Sequence, residues 1–200
     1  YEEPYAYQTQ GLDKIIKHYY ETKNKKGHNV YNTKVLICGE KKAGKTWMGR
    51  LLKKKLELDK KQGTQLYDDF NPSSTGSNIT RLILQNATVK TNIITLIDEI
   101  DTTYRTAIED KVLNQYDTRL VHTQNKQTLN AMFEVISDKM FMMALYTTEL
   151  SPHELYANES WRSFFRKGRV DLILHFIKNH ESTTDDDKFI CTVVDYEELQ

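Results

Sequence analysis

The sequence predicts an α/β fold in which a parallel β-sheet is flanked by helices. Three observations lead there. Short apolar runs alternate with longer amphipathic ones along the 200 residues, the pattern of parallel strands joined by crossover helices. One of those runs, residues 34–38 (KVLIC), leads straight into a glycine-bracketed loop, residues 39–46 (GEKKAGKT), and on into a helical pattern. The most apolar run, residues 93–97 (IITLI), ends on Asp98 and Glu99, and a continuous apolar run is what a strand covered on both faces requires.

The elements follow in order. Leu12, Ile15, Ile16 and Tyr19 fall at helical spacing, so residues 1–33 are expected to hold an N-terminal helix and a polar linker. Strand 34–38 and the loop precede a helix over 46–58, with Met48, Leu51, Leu52, Lys55 and Leu56 on its inner face. A short strand at 63–67 and a helix at 77–86, with Ile79, Leu82 and Ile83 inward, lead to strand 93–97. Residues 102–124 are polar and carry no clear pattern. A helix over 129–136, a buried strand over 140–146 ending in Thr147-Thr148, a short helix at 152–157 and a strand at 170–176 complete a core spanning 34–177. In the tail, 178–200, a charged turn precedes an apolar run at 189–194 that would add an edge strand.

A chain of this length supplies one core, because single cores saturate between about 100 and 250 residues. Lys plus Arg and Asp plus Glu number 28 each, so no global field gathers a polyanion and bulk-charge binding of nucleic acid is not expected. Cys38 and Cys191 stand in no metal or redox spacing, which argues for a reducing, intracellular compartment. Abundant Lys, Asn, Ile and Tyr point to an AT-rich genome, viral or protist, and to a host cell if viral. No apolar run approaches the roughly 20 residues that cross a bilayer, so no membrane contact is expected in this segment. A first residue other than Met is expected of a domain cut from a longer chain.

The loop after the first buried strand is a device for holding phosphate. Backbone amides of Gly39, Glu40, Lys41, Lys42, Ala43, Gly44, Lys45, Thr46 and Trp47 would face phosphate oxygens at a helix N-terminus. Lys45 would reach the β and γ phosphates of ATP, and the Thr46 hydroxyl would ligate Mg²⁺. Lys41 and Lys42 restrict how the loop backbone turns and add positive charge. At the tip of the apolar strand, Asp98 would hold Mg²⁺ through water and Glu99 would polarise an attacking water. Asp101 is expected to be a solvated or structural carboxylate.

These motifs, taken in order, resemble the AAA+ ATPases. The loop matches the Walker A segment of P-loop NTPases, and residues 97–101 (IDEID) resemble Walker B. Residues 140–148 (MFMMALYTT) look like the sensor 1 strand, and residues 166–171 (RKGRVD) resemble the segment carrying arginine fingers. The resemblance spans residues 12–177 and is nearest to the mitochondrial Rieske-assembly type AAA ATPases and their viral and plant relatives.

It implies an AAA+ large subdomain without a full helical lid, since the residues after 176 are too few for one. It implies Thr148 as sensor 1, with Glu149 where the family often has Asn, and Arg166 and Arg169 as catalytic groups projecting into a neighbouring subunit. Lys167 replaces the usual proline. The function implied is an ATP-binding and hydrolysing motor that remodels or translocates a macromolecule from a homo-oligomeric ring, with protein favoured over nucleic acid as substrate. Two alternatives stand beside it: a viral-type helicase or helicase loader, with nucleic-acid loops in the unassigned stretch 102–124, and a nucleotide-binding structural module without turnover. Stimulation by single-stranded nucleic acid separates the first; retention of ATP without phosphate release separates the second.

Overall fold

Strand β1 (Asn32–Gly39) is buried at all eight positions, so it must lie inside a sheet covered on both faces. A computed structural model describes residues 3–23, 26–60, 63–85, 91–108, 122–184, 186 and 188–199. In it β1 pairs in parallel with β4 (Met142–Thr148) on one side and β5 (Leu172–Lys178) on the other. The sheet continues through β3 (Asn92–Ile97) to β2 (Thr64–Tyr67), also parallel. It closes at the other edge with β6 (Phe189–Val193), antiparallel to β5. The strand order is β2-β3-β4-β1-β5-β6, so the predicted α/β sheet flanked by helices is the fold, and the expected edge strand is its antiparallel member.

The period-two alternation of β1 sends its side chains to two cores. Val35 and Ile37 face α1 (Ala6–Glu21) and α2 (Met48–Lys60), where Leu12, Ile15, Met48 and Leu52 bury against them. Leu36 and Cys38 face the other layer, formed by α3 (Ile79–Gln85), α4 (Ile100–Ile108), α5 (Lys126–Asp138), α6 (Pro152–Ala157) and α7 (Glu159–Phe164). Aromatic rings knit that layer: Phe133 of α5 meets Phe164 of α7 edge-on at 4.5 Å, and Tyr104 of α4 lies 4.4 Å from the same Phe164.

Several boundaries differ from the sequence expectation for local reasons. Helix α2 starts at Met48 because residues 45–47 are still turning, with Trp47 N donating to Gly44 O and Met48 N to Lys45 O at 3.1 Å each. Helix α5 starts at Lys126, where Asn125 caps it by accepting from Thr128 N at 3.0 Å. Strand β5 begins at Leu172 and not at 170, because residues 166–170 form a tight turn in which Arg169 N donates to Arg166 O at 3.0 Å and Gly168 takes φ 95°. Of the unassigned stretch 102–124, residues 102–108 belong to α4 and residues 109–121 lie outside the described residues, as does residue 86 at the end of the expected third helix. The possible nucleic-acid loops of that stretch therefore fall largely outside them too. No helix among the described residues is long and apolar enough to cross a membrane.

One charged clip holds the start of β1. The Lys34 side chain, only 8% exposed, places Nζ 3.0 Å from Asp171 Oδ2. The same oxygen accepts from Lys34 N at 2.9 Å, and Asp171 N returns a bond to Lys34 O at 2.8 Å. Replacing Asp171 by Ala leaves a buried ammonium with only the Asn32 side chain, at 3.4 Å, among these partners. The expected cost is about 3 kcal/mol, read as a lowered urea midpoint at unchanged slope; a loss below about 0.5 kcal/mol would contradict the clip.

Candidate functional site

The C-terminal ends of β1, β4 and β3 lie side by side, so everything that follows those strands meets at one edge of the sheet. That is where open α/β sheets bind ligands, at the point where successive connections part to opposite sides. A cleft of about 320 Å³ opens there, walled by the loop after β1, the acidic tip of β3 and the turn after β4.

The loop's shape is set at three positive-φ residues. Gly39 has φ 154°, and a Cβ there would sit 2.8 Å from the Phe176 carbonyl oxygen of β5, so the close approach of two strands demands glycine. Gly44 has φ 69° and Lys42 φ 66°; the left-handed turn at a lysine costs roughly 1–2 kcal/mol. Helix α1 braces the loop from outside. Tyr7 donates its hydroxyl to Ala43 O at 3.3 Å, and Gln8 Nε2 donates to Gly44 O at 3.4 Å. The apolar spacing that marks a helix within residues 1–33 could not disclose this brace, because its partners lie 36 residues away.

Lys45 curls back over the loop, donating from Nζ to Gly39 O at 2.7 Å and Glu40 O at 2.8 Å. Burial lowers its pKa, opposed in part by the nearby carboxylates of Glu149 and Asp98. Beside it Thr46 Oγ1 donates to both oxygens of Asp98, at 3.2 and 3.1 Å, joining residues 52 apart in sequence. Asp98 also receives the Thr147 hydroxyl, and that same Oγ1 accepts the Glu99 amide at 3.1 Å. Glu99 sits at φ 48°, its carbonyl receiving the amides of Thr102 and Thr103 as α4 begins. Its exposed side chain lines the cleft.

Thus Gly44, Lys45, Thr46, Trp47, Asp98 and Glu99 meet at the cleft, with Lys41 and Lys42 on the same wall, while Gly39, Glu40 and Ala43 of the same loop do not line it. Trp47 is partly exposed, with the Arg50 guanidinium stacked 4.9 Å from its ring. The sensor 1 candidate Thr148 also lines the cleft, but its buried hydroxyl accepts from Leu150 N at 3.1 Å. Its neighbour Thr147, which the sequence did not single out, is the one that touches the acidic pair. The parallel register explains the shift: Ile97 is opposite Tyr146, so Asp98 falls level with Thr147.

The two arginines do not line the cleft. Arg166 is exposed in the turn before β5. Arg169, expected to project outward, instead folds onto α5, where Nη1 donates to Asn130 Oδ1 at 2.8 Å and Nη2 lies 3.6 Å from Glu134. Its side chain is only 13% exposed. A polar face on α5, one turn apart at Asn130 and Glu134, offers these partners within the chain, and local spacing around the arginine could not disclose them. Asp101 is mostly buried, 3.9 Å from Arg105 one helical turn on, in keeping with a structural carboxylate.

No protein-family model matches the chain, and no curated protein does. Among solved structures it is similar to a chain of the complex titled "Structure of E. coli MS115-1 HORMA:CdnC:Trip13 complex", at 15% identity and a TM-score of 0.49. The match covers 87% of this chain and 58% of that one, so this chain spans less than two thirds of that neighbour's length. Similarity at this level transfers no residue role.

Two outcomes are expected. Thr147→Val keeps shape but removes a donor to Asp98 and an acceptor for Glu99 N, costing about 1–2 kcal/mol in denaturant unfolding. Because burial lowers the folded-state pKa of Lys45, the unfolded chain holds that proton more tightly, and stability rises as pH climbs through the lowered value toward the ordinary 10.5. Paired unfolding titrations should therefore show wild type gaining on Lys45→Met between neutral pH and about pH 10.

Proposed function

We propose that this chain is a Mg²⁺-dependent ATPase domain of the AAA+ kind, acting from a homo-oligomeric ring on a macromolecular substrate, protein in preference to nucleic acid. One observation carries the reading: Thr46, at the end of the phosphate-type loop, hydrogen-bonds Asp98 at the tip of another strand, with Lys45 and Glu99 in the same cleft.

The residues fit the cation. Mg²⁺ takes hard oxygen ligands, usually one or two from protein with the rest from phosphate and water, and a hydroxyl next to a carboxylate is such a pair. Among the described residues no group of three or more His, Cys, Asp or Glu could hold a metal by itself, so phosphate oxygens would complete the shell. When bound, the ion would neutralise charge on the β and γ phosphates. The chain's own groups would do the rest. Loop amides and the start of α2 would cradle the phosphates. Lys45 would exchange two carbonyl partners for phosphate oxygens. Glu99, its amide pinned by Thr147, would orient a water for in-line attack on the γ phosphorus as the bond to the bridging oxygen breaks. Thr147, beside the sensor 1 candidate Thr148, would position Asp98 and Glu99, and Arg166 is the freer of the two arginines to serve a neighbouring subunit. Arg169 would first have to leave Asn130 and Glu134.

The test is Glu99→Gln. Mg·ATP binding should persist while phosphate release falls about a hundredfold or more; unchanged hydrolysis would remove Glu99 from the mechanism. Specific activity should also climb with protein concentration as rings assemble, and turnover independent of concentration would sink the trans-acting arginine. Tight ATP binding with no phosphate release at any concentration would leave the structural-module alternative.

A further inference from the structure

We infer that Glu149 is a specificity-determining residue of the cleft, a built-in anion that competes with the terminal phosphate of a nucleoside triphosphate for the loop lysines and so narrows the preference for triphosphate over diphosphate. The inference rests on the nucleotide-binding reading above and adds to it which phosphate form the cleft favours.

The placement follows from the sheet. Cys38 and Thr148 are opposite one another in the β1–β4 register, so Glu149, one residue further, emerges level with the start of the phosphate-type loop. From there its carboxylate crosses the mouth of the cleft to Lys41, with Oε1 3.8 Å from Nζ. It lines the same cleft as Lys45, Asp98 and Glu99. The carboxylates of Glu149 and Asp98 both act on Lys45 in the direction that favours its charged form. One carboxylate thus contacts one of the ammoniums that a polyphosphate would use and shares the cleft with a second.

Charge arithmetic gives the direction. Lys41, Lys42 and Lys45 are offset by Asp98, Glu99 and Glu149 around the cleft. Asp98 is engaged by two hydroxyls, from Thr46 and Thr147; Glu149 faces a lysine. A triphosphate carries about one more negative charge than a diphosphate and extends it toward the acidic end, so repulsion from Glu149 falls more heavily on the triphosphate. The pair does little for the fold. Lys41 is 79% and Glu149 41% exposed at the side chain, and exposed pairs contribute at most about 1 kcal/mol. Removing the charge should therefore change ligand preference with the protein still folded.

The experiment is equilibrium titration of the protein and its Glu149→Gln variant with Mg·ATP and with Mg·ADP, alongside thermal melts without nucleotide. The expected result is ATP binding tightened about fivefold, the scale of one exposed charge interaction, ADP binding changed less than about twofold, and an unaltered melting temperature. Equal changes for the two nucleotides, or ATP binding unchanged or weakened, would overturn the inference and leave the nucleotide-binding reading intact. Failure of wild type and variant alike to bind either nucleotide would overturn that reading itself.

Discussion

The parallel pairing of β1 between β4 and β5 is the constraint on which the rest of the molecule hangs. It buries eight residues in a row, and that burial forces helices onto both faces of the sheet. It also decides where the glycine loop can go. With β5 packed so closely that its Phe176 carbonyl leaves no room for a Cβ at residue 39, the chain must turn away sharply and immediately. With β4 interposed between β1 and β3, the loop ends within hydrogen-bonding reach of the acidic strand tip. The Thr46–Asp98 contact is therefore a product of strand order, and a one-residue slip of β4 would carry Thr147 away from its own bond to Asp98 and turn its neighbours onto the wrong core.

Both faces combine aliphatic packing with aromatic rings. On the α1 and α2 face, aliphatic residues such as Leu12, Ile15, Leu52 and Leu145 fill the layer, while Tyr19 reaches through it to donate a 2.6 Å hydrogen bond to the buried Asn92 side chain. On the other face, shorter helices hold together through aromatic rings around Phe133 and Phe164. Three helices anchored to common rings have little independence, so α4, which begins directly after Glu99, is fixed relative to α5 and α7. The catalytic candidate is thereby tied to the helix that holds Arg169.

Most of the fold was legible because parallel strands covered on both faces are largely apolar runs, and β1, β3 and β4 are buried at every position. The glycine-bracketed loop and the acidic tip were legible because each directly follows one of those strands in sequence. What escaped depends on partners distant in sequence. Choosing between Thr147 and Thr148 needs the β3–β4 register, which no local pattern encodes. Arg169 is written as an exposed turn residue and is claimed instead by Asn130 and Glu134. Helix α7 was hidden by its brevity, although Asn158 caps it, accepting from Ser160 N at 3.0 Å, and Trp161, Phe164 and Phe165 already fall on one face.

The brace from α1 has a consequence of another kind. Tyr7 is bonded to the loop carbonyl of Ala43 at one end and packed edge-on against Phe176 at 5.2 Å on the other side, and burial pushes its phenol up to about 12. A phenol so placed couples helix α1 and strand β5 to the glycine loop. Any rearrangement that rotates the Ala43 carbonyl must break or re-aim this one hydrogen bond. Movements of the loop and of the N-terminal helix are thereby linked through a single ring.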